Sequence, residues 1–329
     1  MLILKDIQRA VKRVTPYINK TPIVTSSLLN EWLGHEVYFK AECLQKVGAF
    51  KARGACNAVH QLMSEHSNVK RVVANSSGNH AQAVAWSART FGINATIYMP
   101  SFASKVKAQA TRSYGAEVVL GDTRQDVDRM VTEAAEQDGT YWIPPFNDEA
   151  VMAGQGTAAL EAWSQLNHEP DAVFAPCGGG GLLSGTLAAV RGLSDKCQVI
   201  GAEPLNGNDA AISLRQGEVY CFENSPKTLA DGAMTLSVGD KTFPHLKQLD
   251  GFFEINETDI AYWTQWLQHL LKLHVEPTSA MTMAAVCQWL KDKKSEPQKV
   301  LVILSGGNID EAHMRRIWAE DHLAVQPKL

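Results

Sequence analysis

The segment Cys177-Gly178-Gly179-Gly180-Gly181-Leu182-Leu183-Ser184-Gly185 follows the apolar run Ala172 to Ala175 and opens a helical pattern. Four successive glycines let the backbone approach a ligand closely and take positive φ. The helix start aims free N–H groups and the positive end of its dipole at the same place. That combination makes an anion cup. It lacks the Gly-Lys-Ser/Thr ending of a nucleoside-triphosphate loop, and its glycine spacing does not match a dinucleotide fingerprint. A terminal phosphate monoester on a compact cofactor suits it; a flexible glycine turn is the alternative.

Three further segments carry reactive or polar groups. In Gly48-Ala49-Phe50-Lys51-Ala52-Arg53-Gly54-Ala55 a lysine stands between a phenylalanine and small residues at a helix start. Partial desolvation there would lower its pKa and make it a Schiff-base nucleophile. Taken alone, Lys51 reads equally as an ordinary exposed helix lysine, and Arg53 as a surface residue. Asn75-Ser76-Ser77-Gly78-Asn79-His80 lies between a strand pattern and a helix pattern. Its hydroxyls, amide and free N–H groups suit a carboxylate or a ring hydroxyl, or else cap the helix. The run Val300 to Leu304 ends in Ser305-Gly306-Gly307-Asn308, which puts a hydroxyl at the carboxyl end of a parallel strand, where α/β sheets bind ligands. Cap and ligand contact are not separable there locally.

Glu203, Gly207 and Asp209 follow another strand pattern. Two carboxylates six residues apart, with a glycine carbonyl between them, supply part of an oxygen-rich site for Mg²⁺, Mn²⁺ or Ca²⁺ completed by water; otherwise they are two solvated loop carboxylates.

The elements that must position these groups alternate. Short β-branched runs at Val37 to Lys40, Arg71 to Ala74, Ala95 to Met99, Glu117 to Leu120, Thr140 to Ile143, Ala172 to Ala175, Val199 to Ala202 and Val300 to Leu304 predict strands. Amphipathic stretches predict helices at His80 to Thr90, Ser104 to Ser113, Gln125 to Gln137, Asp259 to Leu273, Ser279 to Lys291 and Asp310 to Ala319. The pattern predicts an α/β fold with mostly parallel strands and helices on both sheet faces. The 329 residues suggest two domains, with the βα units from about Arg71 to Pro144 forming an insertion.

Composition excludes several classes. Lys+Arg 31 against Asp+Glu 35 leaves a net charge of -4, with no basic patch or stacking motif for nucleic acid. No apolar run approaches a membrane span, and MLILK is too short for a signal-peptide core, so a cytoplasmic location is expected. The six cysteines have no C-x-x-C pair and no finger-spaced histidine, which predicts buried thiols in a reducing compartment.

In combination, Lys51, the Ser76 to His80 loop, the glycine cup and Ser305 closely resemble the fold-type II family of pyridoxal-phosphate enzymes, in its serine/threonine dehydratase and serine racemase branch. The likeness extends to Thr21-Pro22-Ile23, Ala153-Gly154-Gln155-Gly156-Thr157, Ala202-Glu203-Pro204 and Val275-Glu276-Pro277-Thr278. It implies two open twisted, mostly parallel sheets, with residues 1–70 and 149–329 as a large cofactor-binding domain, 71–148 as a small inserted domain, and the active site in the cleft between them. It implies that Lys51 carries pyridoxal 5'-phosphate and removes the substrate's α-proton. Gly178, Gly179, Gly180, Gly181 and Leu182 would bind the phosphate, Asn79 would lie near the ring hydroxyl, Phe50 against the ring, and Ser305 at the pyridine nitrogen. A hydroxyl there does not force that nitrogen to stay protonated, which restrains the electron sink and favours elimination.

The same resemblance implies a dehydratase that converts a β-hydroxy amino acid such as L-serine, L-threonine or 3-hydroxyaspartate to a 2-oxo acid and ammonia. Ser76, Asn79, His80 and Asn147 would bind substrate. Ser77 would face the cofactor from the side opposite the lysine, which permits racemisation, so a serine racemase is the alternative. Glu203, Gly207 and Asp209 resemble the branch's divalent-cation site, with a stabilising role. A homodimer without nucleic-acid or membrane partners is expected. Ala49 and Pro144 depart from the family's usual serine and histidine near the substrate pocket. Ser26, Ser27, Gln82 and Asn308 match the animal racemases' nucleotide-effector site while Gln8 and Val47 do not, so ATP activation is weakly implied. With so little sequence after the last helix pattern, no regulatory domain is expected. A replacing synthase of the same fold is the enzymatic rival, though such relatives usually carry Gly-Thr-Gly-Gly-Thr where this chain has four glycines. A non-catalytic phosphate-ligand binder is the rival from another class.

Overall fold

The computed structural model describes residues 1–293 and 296–329. Ten strands run along the described chain: β1 (Ile23–Val24), β2 (Glu36–Ala41), β3 (Arg71–Asn75), β4 (Asn94–Pro100), β5 (Glu117–Gly121), β6 (Thr140–Trp142), β7 (Ala172–Pro176), β8 (Gln198–Pro204), β9 (Gly251–Ile255) and β10 (Lys299–Leu304). They form a six-stranded sheet in the order β1-β2-β10-β7-β8-β9 and a four-stranded sheet in the order β5-β4-β3-β6. β1 pairs antiparallel with β2; the other pairings are parallel. The smaller sheet is built wholly from chain lying between β2 and β7.

Helices cover both faces of the larger sheet, so its central strands are apolar throughout. Val300, Val302 and Leu304 of β10 join one core cluster with Phe174, Ile200 and Met281, while Leu301 and Ile303 join a second with Ile7, Leu183 and Leu187. Burying each such side chain contributes about 1.5–3 kcal/mol, so each side chain's facing, and hence the position of Ser305 at the end of β10, is strongly specified.

Three helices set the geometry of the site. The helix Glu149–Gln165 packs against both Lys51–Glu65 and Gly181–Arg191. A Cβ on Gly154 would stand 2.6 Å from the Arg53 carbonyl oxygen, and one on Gly156 2.5 Å from the Gly185 carbonyl oxygen. No other residue type permits that approach, which gives the Ala153-to-Thr157 motif its physical reason.

Arg53 is fully buried and not on the surface. Its guanidinium donates to both Glu42 oxygens at 2.7 and 2.8 Å and to Glu161 at 2.9 Å; Lys40 donates to Glu161 at 2.5 Å and to the Thr21 carbonyl at 2.7 Å. Two cations and two carboxylates balance, so their loss of water is offset by charge-assisted hydrogen bonds.

All eight predicted strands form, seven of them extended by one to three residues in all, while β6 stops at Trp142, one residue short of the expected Ile143. The two further strands, β1 and β9, have no sequence signal of their own: β1 is two residues long beside Pro22, and Gly251-Phe252-Phe253 is as plausible in a loop. All six cysteines are free; Cys56, Cys177, Cys197 and Cys287 are buried as expected, whereas Cys221 is exposed. Among the described residues no helix is long and apolar enough to cross a membrane.

Candidate active site

Lys51 opens its helix one residue after Phe50, whose N–H donates to the Ser305 carbonyl at 2.9 Å. This bond ties the lysine turn to the end of β10. The half-buried Lys51 donates Nζ to the Pro145 carbonyl at 2.6 Å and lies 5.2 Å from the Phe50 ring centroid. Desolvation lowers its pKa to about 8, opposed by the Glu276 carboxylate, so the neutral amine is readily populated.

The cup stands across the Pro145-Phe146 turn. Gly180 has φ +90 and caps the helix Gly181–Arg191, leaving that helix's first N–H groups without intrahelical partners. A Cβ on Gly179 would run into the Phe146 ring. The cup's outer wall is held by Thr242 and Gly239, which donate to the Gly179 carbonyl at 2.7 and 3.3 Å. Asn147 sits on this side, its side chain bonded to Asp240 at 2.5 Å and to the Lys241 N–H at 3.0 Å.

The Ser76 to His80 loop leads from β3 into the helix Asn79–Phe91. Ser76 Oγ accepts the Gly78 N–H at 3.3 Å, while the Ser77 hydroxyl has no protein hydrogen bond among the described residues. Asn79 donates to Glu276 at 3.1 and 3.3 Å and accepts from Asn308 at 2.8 Å, which fixes its amide. The His80 imidazole is engaged within the protein. Its Nε2 lies 2.8 Å from the Ile143 carbonyl, so hydrogen-bond pairing puts the proton there and leaves buried Nδ1 a bare acceptor. Burial, aided by the Lys51 charge, depresses its pKa to about 3. A neutral acceptor does not attract a carboxylate; what His80 offers is its backbone N–H at the helix start.

Sequence reading quotes Glu276 within the Val275-to-Thr278 motif but gives it no role, because an acid just before Pro277 reads as a helix-start residue. It is buried, bonded to Asn79 and to the Asn308 N–H, and its pKa is pushed up to about 7 by desolvation and Asp231. Asp231 in turn pairs with Lys107 of the helix Lys105–Ser113 at 2.6 Å, and the carbonyl of neighbouring Gly232 packs on Gly178. Ser305 is buried, its Oγ 2.8 Å from Ser279 Oγ. Of the nucleotide-site matches, Ser26 caps its own helix and Asn308 is committed to Val47 and Asn79.

Glu203 and Asp209 lie behind the cup, next to Cys177, whose N–H donates to the Ala202 carbonyl at 2.7 Å. They are buried, not solvated. Glu203 accepts the Ala211 and Ala210 N–H groups at 2.6 and 3.2 Å; Asp209 Oδ2 is buried with no partner among the described residues. Desolvation raises Glu203 to about 9 and Asp209 to about 7. Among the described residues no three His, Cys, Asp or Glu side chains are grouped to hold a metal. A bare buried carboxylate oxygen beside a second carboxylate nevertheless fits a hard cation that completes its shell with carbonyls and water.

A primary amine poised near neutrality, a glycine-lined helix start across a turn from it and a strand-end hydroxyl whose own residue is bonded to the lysine turn suit an aldehyde cofactor bearing a phosphate. In keeping with that geometry, residues 14–306 match the pyridoxal-phosphate dependent enzyme family, and the chain belongs to it. It is 42% identical to an L-threo-3-hydroxyaspartate ammonia-lyase from Saccharomyces cerevisiae over 93% of both chains. It is also 42% identical to a serine racemase from Dictyostelium discoideum, over 95% of this chain and 97% of that one. The fold matches a solved T.th. threonine deaminase with TM-score 0.87 and 42% identity, covering 94% of this chain and 99% of that one.

Proposed function

We propose that this protein is a pyridoxal-phosphate-dependent ammonia-lyase that removes water from a β-hydroxy amino acid, giving a 2-oxo acid and ammonia. The observation that carries the reading is the low-pKa amine of Lys51, tied through Phe50 to the carbonyl of Ser305, the residue facing the ring-nitrogen position. Bound through the phosphate cup, the cofactor supplies the electron sink. Lys51 Nζ takes the α-proton, and the backbone N–H groups of Asn79 and His80 hold the substrate carboxylate at the positive end of their helix. Glu276 keeps Asn79 oriented, and the hydroxyl of Ser305 faces the ring nitrogen. Serine, threonine and 3-hydroxyaspartate are the substrates of choice.

Racemisation is the second reading, supported by the unengaged hydroxyl of Ser77, a proton donor for the face opposite Lys51. Residues 1–70 and 149–329 act as the cofactor domain and 71–148 as the small domain, with substrate held between them; Mg²⁺, Mn²⁺ or Ca²⁺ at Glu203, Gly207 and Asp209 stabilises the fold in a cytoplasmic homodimer. The test is to offer the purified holoprotein these amino acids with and without Mg²⁺ and to measure 2-oxo acid and enantiomeric composition together. Production of 2-oxo acid supports the lyase; neither product across the panel overturns it.

A further inference from the structure

Ser279 lies in the first turn of the helix Pro277–Leu290, fully buried, and its hydroxyl meets that of Ser305 at 2.8 Å. Counting protons gives this pair a direction. Ser279 Oγ accepts the Gly306 N–H at 2.9 Å and has one proton to give, either to the Gly306 carbonyl at 3.0 Å or to Ser305 Oγ. The Gly306 carbonyl already receives the Glu276 N–H at 3.0 Å. The Glu276 carboxylate is taken up by Asn79 and the Asn308 N–H, so it does not draw on either hydroxyl. Ser279 can therefore donate to Ser305 with every group in the cluster satisfied. The Ser305 proton is then left to point out of the pair. In the reverse arrangement Ser305 gives its proton to Ser279 and turns only lone pairs outward, which a bare ring nitrogen would repel.

We infer that Ser279 is a positioning residue: by donating to Ser305 Oγ it aims the Ser305 proton at the pyridine nitrogen of the cofactor and holds that nitrogen unprotonated. The inference rests on the proposed placement of Ser305 against the ring nitrogen. A chain of two hydroxyls polarises cooperatively, so the second donates more strongly than a lone serine would.

The experiment uses holoprotein reconstituted with pyridoxal phosphate isotopically labelled at the ring nitrogen, whose magnetic-resonance shift separates the protonated from the bare form. In the native chain the signal lies at the unprotonated position. Ser279→Ala moves it toward the protonated one, equivalent to a rise of about one unit in the ring nitrogen's pKa, and Ser279→Thr restores it. A merely structural serine would alter thermal stability without moving this signal. Should Ser279→Ala fail to fold, Ser279→Cys, which keeps the volume with a weak donor, carries the same expectation. A signal shifted by Ser305→Ala yet unmoved by either Ser279 variant overturns this inference alone. A native signal already at the protonated position also overturns it. Failure of the chain to take up cofactor overturns the functional reading beneath it.

Discussion

The backbone N–H of Phe50 bonds to the carbonyl of Ser305 at 2.9 Å, although the two residues are 255 positions apart. The lysine proposed to do chemistry and the hydroxyl proposed to tune it are thereby held by one peptide contact, with Gly48 accepting the Gly307 N–H at 3.0 Å beside it. The reactive turn is thus an extension of the large sheet.

Cofactor capture by the apoprotein should follow the charge on Lys51. The amine's folded pKa is about 8, below its ordinary value of 10.5, so the neutral nucleophile grows in as pH rises through 8. The rate of spectral change on adding pyridoxal phosphate should show its midpoint there. Glu276→Gln removes the carboxylate that opposes the shift and should move the midpoint lower. A midpoint near 10 would contradict the desolvated environment.

The carboxylates behind the cup give a pH-dependent stability. Glu203, Asp209 and Glu276 all have folded pKa values raised above those of the unfolded chain, to about 9, 7 and 7. Their contribution is full below their ordinary values of 3.8 to 4.5 and is lost progressively as pH rises from there through the folded values of about 7 and 9. The metal-free melting temperature should fall over that range. Mg²⁺, binding the ionised forms, should restore it, by about 2.7 kcal/mol at a hundredfold excess over Kd. Asp209→Asn should abolish the restoration; an undiminished effect would remove Asp209 from the cation site.

The cup should tolerate no side chain. Gly180→Ala places a Cβ at φ +90 at a cost of about 1–2 kcal/mol, and Gly179→Ala displaces the Phe146 ring. Each should weaken cofactor binding by about tenfold or more, read by equilibrium titration of the apoprotein.

Arg53→Met should cost about 3–5 kcal/mol, because it strands Glu42 and Glu161 without their guanidinium. Adding Glu42→Gln should return part of that loss. Denaturant titration of the single and double variants measures the coupling, and strictly additive losses would show the network to be uncoupled.

Ser77→Ala should separate the two activities. Losing a proton donor on one face lowers racemisation by about 10²–10⁴-fold while elimination, which needs Lys51 alone for the α-proton, persists. Equal loss of both would place Ser77 in substrate binding.

Much of this site is legible in the residues. Strand periodicity places Arg71 to Ala74 and Val300 to Leu304, and the glycine run and the lysine turn single out the two helix starts that the fold sets on either side of the Pro145-Phe146 turn. What stays hidden depends on contacts between distant segments. Nothing local marks Arg53 as buried, because its partners Glu42 and Glu161 lie 11 and 108 residues away. Nothing local ties the His80 imidazole to Ile143, so a histidine at a helix start looks available when it is already spoken for. Glu276 resembles any acid ahead of a helix-opening proline until Asn79 is seen to lean on it.

The helix Glu149–Gln165 touches the lysine helix through Gly154 and the cup helix through Gly156, each without so much as a methyl group between. It therefore works as a gauge block. Two hydrogen atoms set how closely the helix that begins at Lys51 and the helix that follows the glycine run approach it. A methyl at either contact would widen the jaws without removing any group that recognises a ligand's chemistry.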